Sequence, residues 1–197
     1  MLSAAAARAL LVLHTAAGVA AVAAGTHLVI WLRRYLRGQL GRRRAVLKFA
    51  WLFFALQLGA FAAGNAMYPT YRVEVRAAYL ENADEIRAGQ VAHDGALARL
   101  DLHEGEAAEA PTAISALVAR AADAVRWFDV KEHWVALGLF ASAAALLILA
   151  LWRPGDDPSG DAARALGPLV LGLAAVACAT TWLAAIVGVL TAAWRAV

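Results

Sequence analysis

Residues 134–152 read WVALGLFASAAALLILALW, nineteen positions without a charged side chain and with tryptophan at both ends. A helix of that length rises about 28 Å, close to the ~30 Å hydrocarbon core of a bilayer, and indoles favour the headgroup level at either face. Three more stretches have the same character: 9–32, 49–68 and 166–194. Each is near or above the length a membrane-crossing helix needs, and none carries an acidic residue. The expected fold class is therefore all-α and integral to the membrane, a four-helix bundle forming one domain over 1–197. Composition agrees, since 62% hydrophobic residues and a mean hydropathy of +0.62 exceed the ~45–50% apolar usage of soluble domains.

The first apolar stretch is 24 residues long and ends on Arg33 and Arg34. A secretory signal has an apolar region of only ~7–15 residues, so a retained helix is expected. Its C-terminal flank, 33–48, holds Arg33, Arg34, Arg37, Arg42, Arg43, Arg44 and Lys48 and no acid. The connection 153–165 adds Arg153 and Arg164. Basic residues in short loops mark the cytoplasmic side, so both loops are expected inside and both termini outside, with Arg8 opposing weakly. Segment 69–131 dilutes seven basic residues among eleven acids over 63 positions and is expected to face outward. The net charge of +3 comes mainly from the first loop, which suits anionic lipid rather than nucleic acid. The expected location is a bacterial inner membrane, with the bilayer and other membrane subunits as partners.

Within 69–131, Tyr71, Val73, Val75 and Tyr79 alternate in a strand-like way, while residues 77–86 read as helical. Residues 89–110 are polar and read as loop. From Pro111 onward, Ile114, Leu117, Val118, Ala121, Val125 and Phe128 recur at helical spacing, predicting a helix that lies on the membrane surface or on the bundle top. So long a connection points to function or docking. The run from Pro154 to Gly160 is a dense turn signal that makes spans three and four antiparallel neighbours.

Intramembrane ionisable groups are costly and point to function by default, which singles out His14 and His27. Thirteen helical residues separate them by roughly 20 Å, but about 140° around the axis, so both cannot face one interior. His14 has a candidate partner in His133, at the outer start of span three. Neutral imidazoles on two facing helices are the axial ligands a b-type haem requires. Gly18, Ala21 and Gly25 share the face of His14 and leave either room for a flat macrocycle or a close helix contact. Tyr68 and Arg72, at the end of span two, are the groups expected around such a haem. The plainer reading pairs Arg72 with Asp129 or Glu132 and lets Pro69 end the helix. Gln57, in the middle of span two, reads as a polar link between helices.

Other chemistry is poorly represented. Cys178 is the single cysteine, so no disulfide or CxxC pair forms within the chain. His93 and His103 lie among outer carboxylates and suggest surface metal capture only weakly; no metal site is assigned. No phosphate loop, HExxH, CxxCH or GxSxG occurs. The expectation is a membrane subunit of a larger respiratory or redox complex without independent catalytic activity, holding one b-type haem between His14 and His133. Its alternative is a cofactor-free structural or assembly subunit.

Overall fold

The computed structural model describes residues 2–99, 114–153 and 160–193. Every regular element among them is helical: α1 (Ala4–Leu36), a 3-10 turn (Leu40–Arg42), α2 (Arg43–Thr70), a π-helical segment (Tyr71–Leu80), α3 (Ala83–Arg99), α4 (Ile114–Leu151) and α5 (Asp161–Ala193). Four of these helices are long and apolar enough to cross a membrane. The turn predicted between Pro154 and Gly160 falls largely outside the described residues, as do the start of the helix predicted from Pro111, His103 and Trp194.

Local chemistry sets the helix ends. Ser3 caps α1, its hydroxyl accepting from the Ala6 N–H at 3.3 Å. After Leu36 the chain turns through Gly38, at a φ of +99° that side-chain-bearing residues rarely adopt. Asn82 caps α3 by accepting from the N–H groups of Asp84 and Glu85, and those two acids suit the positive end of the helix.

Helix α1 packs on α2 and α5, and α4 packs on α5 and α2. The four long helices thus form a ring in which α1 stands diagonal to α4, and α2 diagonal to α5. Neighbours run antiparallel: His14 meets Ala60 while His27 meets Phe49, Thr26 meets Trp182 while Leu36 meets Gly167, and Gln57 lies by Gly138 while Arg43 reaches Ala150; α4 therefore also runs against α5. The expectation for spans three and four holds.

The core gathers toward the end that carries the basic loop. Ala21, Ala24, Leu28, Leu32 and Tyr35 of α1 meet Val46, Ala50 and Phe53 of α2 and matching positions of α4 and α5. Seven of its fifteen residues are alanine, which lets the helix backbones approach closely. The fully buried Phe53 ring fills the resulting gap at Gly25, where an added Cβ would lie 2.7 Å from a ring carbon. The close-contact reading of Gly25 is therefore the one observed; Gly18 instead faces open space. Two thirds or more of each apolar window lies outside the interior, as a bundle facing lipid requires.

One polar link crosses the ring. Gln57 Nε2 donates to Thr181 Oγ1 at 2.7 Å, joining diagonal helices through the centre. The Thr181 hydroxyl is itself spent on the Ala177 carbonyl at 2.7 Å, so it can only accept from the amide, which fixes the amide's orientation. Gln57 Oε1 is left buried without a donor.

Three expectations for 69–131 need correcting. Pro69 does not end α2: the helix runs to Thr70 and continues as ten residues of π-helix, with the Tyr71 N–H reaching the Met67 and Tyr68 carbonyls. A proline disrupts the α-helical ladder on its N-terminal side, and the wider π turn follows directly. The alternation from Tyr71 to Tyr79 is thus helical. Residues 89–99 are not loop but belong to α3. The stripe from Ile114 to Phe128 is no separate surface helix, because α4 carries it straight into span three over 38 residues.

Candidate functional site

The end of the bundle opposite the basic loop gathers the histidine, tyrosine and charged residues singled out above. His14 projects from α1 against α2, where Nδ1 donates to the Ala60 carbonyl at 2.8 Å. Gly64 admits the ring, for a Cβ there would stand 3.3 Å from His14 Cε1. Because a carbonyl only accepts, the bond places a proton on Nδ1, and in the neutral ring Nε2 is then the acceptor.

His133 lies on α4 and makes the same kind of bond within its own helix, Nδ1 to the Asp129 carbonyl at 2.8 Å, with its ring exposed. It therefore also keeps Nε2 as an acceptor. The two histidines do share one end of the bundle, but α1 and α4 occupy opposite corners, and His14 is turned toward α2. The premise of facing helices is not met. His27 bonds the Ala23 carbonyl at 2.9 Å and stacks on Phe49 with ring centroids 5.5 Å apart, so it is a packing residue toward the basic end.

Tyr68 is half-buried and its ring stands 6.4 Å from that of Tyr71. Arg72 is exposed, and the ion pair expected of it with Asp129 or Glu132 is made by Arg76 instead. The π segment carries the reason: four residues further along the helix, Arg76 reaches both Glu81 at 2.7 Å and Asp129 at 2.9 Å. Beside it the Tyr71 and Phe128 rings stack at 4.1 Å, and Lys131 Nζ sits 4.7 Å over the Phe128 ring. Arg76 and Phe128 are thus the residues that brace this end. Arg76 was visible as a basic residue, but its partner depended on the helix continuing past Pro69.

His93 lies on α3, and no group of metal-ligating side chains occurs among the described residues. Chemically, the assembled end offers two imidazole acceptors at separate corners, a stacked aromatic pair and an arginine held by two carboxylates. Family models, curated proteins and solved structures all yield no match to the chain.

Proposed function

We propose that the chain is an integral membrane subunit of a larger respiratory or redox assembly, without catalytic activity of its own, set N-out and C-out in a bacterial inner membrane. The orientation is supported by seven basic residues and no acid in 33–48, against an acid-rich 69–131. The subunit reading is carried by exposed apolar side chains on the braced cap. Val73, Val91 and Trp127 are 53, 66 and 52% exposed. Trp127 precedes Trp134, the start of span three, by seven helical residues, about 10 Å of rise. With span three taken to begin at Trp134, that height lies beyond the hydrocarbon core, and apolar groups exposed there suit a protein partner.

Native electrophoresis of solubilised membranes tests this, combined with a photo-crosslinking residue at Trp127. The chain is expected to migrate in an assembly larger than its own oligomers, with a crosslink to another protein of that assembly. Migration as an isolated chain, with crosslinks to lipid alone, overturns the proposal.

A b-type haem held by His14 and His133, with Tyr68 and Arg72 beside it, is the second reading. It rests on the Nδ1 anchoring of both rings, which orients an imidazole as metal ligation requires; His27 shares that anchoring, and the diagonal placement of α1 and α4 weighs against the pair. The open space at Gly18 adds to the haem reading. A Soret band with low-spin α and β bands, lost in both His14→Ala and His133→Ala but kept in His27→Ala, is its expected signature. A purified assembly without such absorbance leaves the cofactor-free subunit.

A further inference from the structure

At the basic end, α2 begins where α4 finishes. Arg43 extends from the first turn of α2 to the last turn of α4, its Nη2 lying 3.4 Å from both the Leu149 and Ala150 carbonyls. Those carbonyls have no intrahelical donor, and the negative end of the α4 dipole holds the guanidinium beside them. Two residues further on, Trp152 packs against the core. In this corner Arg43 Nε and Trp152 Nε1 are both buried N–H donors without an acceptor. A buried donor left unpaired is destabilising. Both side chains are part-exposed outside these two nitrogens.

The loop from Arg33 to Lys48 carries charge of one sign, and among the described residues the acid at this end of the bundle, Asp161, is paired with Arg164. Among the described residues none of Arg33, Arg34, Arg37, Arg42, Arg43, Arg44 and Lys48 forms an ion pair. Arg42 and Arg34 instead lie 4.4 and 5.9 Å from the centre of the Trp31 ring, an indole suited to headgroup depth. A missing acceptor, a missing negative charge and a position at the headgroup layer call for one kind of group. We infer that Arg43 and Trp152 form a seat for the phosphate group of an anionic phospholipid, its oxygens accepting from Arg43 Nε and Trp152 Nε1. Phosphate supplies several acceptor oxygens to an arginine fork, which a zwitterionic surface does without net charge. The inference rests on the proposed membrane-embedded reading and deepens its lipid contact from a general attraction to one site.

Trp152→Phe separates the two, because it removes one donor and no charge. Native mass spectrometry of the detergent-solubilised protein titrated with phosphatidylglycerol or phosphatidylcholine reads the effect. Wild type is expected to retain phosphatidylglycerol in preference. Trp152→Phe and Arg43→Gln are expected to weaken that retention about tenfold, the loss of one charge-assisted bond, while Arg44→Gln changes it far less. Equal retention by wild type and Trp152→Phe, or equal losses in Arg43→Gln and Arg44→Gln, overturns the site and leaves diffuse attraction. Millimolar inorganic phosphate is expected to leave the lipid bound; displacement from wild type assigns the corner to a soluble phosphate and overturns the lipid. The measurement in detergent is independent of which leaflet the loop meets, so a failed orientation and a failed lipid seat are read separately. Circular dichroism of each variant confirms that the bundle is intact.

Discussion

Gln57 occupies the centre of the bundle, and the two ends of its amide fare differently. Nε2 is satisfied by Thr181 while Oε1 is buried and unpaired. Removing the threonine hydroxyl leaves a whole amide without partners in an apolar interior, whereas replacing the glutamine removes the unpaired acceptor together with the bond. Thr181→Val is therefore expected to destabilise the bundle by roughly 0.6–1.7 kcal/mol, the range for polar contacts between membrane helices. Gln57→Leu is expected to be close to neutral. Thermal unfolding in detergent compares them, and a larger loss for Gln57→Leu contradicts this account. Gly138 belongs to the same centre: an added Cβ would collide with Thr180 Oγ1, beside the Gln57 amide. Gly25→Ala acts similarly against Phe53, and with a fully buried ring to displace, a loss of about 1–3 kcal/mol is expected in the same assay.

Among the elements, the π segment decides the form of the cap. It carries α2 past Pro69 and places Arg76 between Glu81 and Asp129, with Tyr71 on Phe128. The ion pairs are partly exposed, so their contribution is under about 1 kcal/mol and falls with salt. The aromatic stack is the more durable brace. Arg76→Gln is expected to quicken hydrogen exchange over 71–99 while leaving the melting of the bundle unchanged. High salt in the wild type should mimic it, and Phe128→Ala should exceed it. Unchanged exchange in both variants contradicts the bracing role.

For the whole molecule, the proposed orientation makes opposite predictions for the two ends. With Cys178→Ala as background, Gly41→Cys, at an exposed position with open space around it, is expected to react with an impermeant maleimide only after the cells are opened, and Asp94→Cys in intact cells. The reverse pattern inverts the molecule. The Arg43 and Trp152 corner then faces the other leaflet but keeps its geometry.

Much of this was written in composition and spacing. Long uncharged runs have one stable use in water and lipid, so the four membrane-length helices follow from 9–32, 49–68, 134–152 and 166–194 without coordinates. The polar Gln57 announced a helix contact on its own, whereas Gly25 left room for a macrocycle and a close helix contact equally open. Partner choice did not follow. Whether α1 lies beside α4 or across from it depends on the order of packing around the ring, which periodicity along one helix does not encode. That order turned His14 toward Ala60 and Gly64, separated its corner from that of His133, and joined Gln57 to Thr181. The path of the chain beyond Pro69 was equally a matter of tertiary structure. Alternating apolar residues over ten positions fit a strand or a widened helix equally well, and only the stacking of Tyr71 on Phe128 and the reach of Arg76 to Asp129 selected the helix.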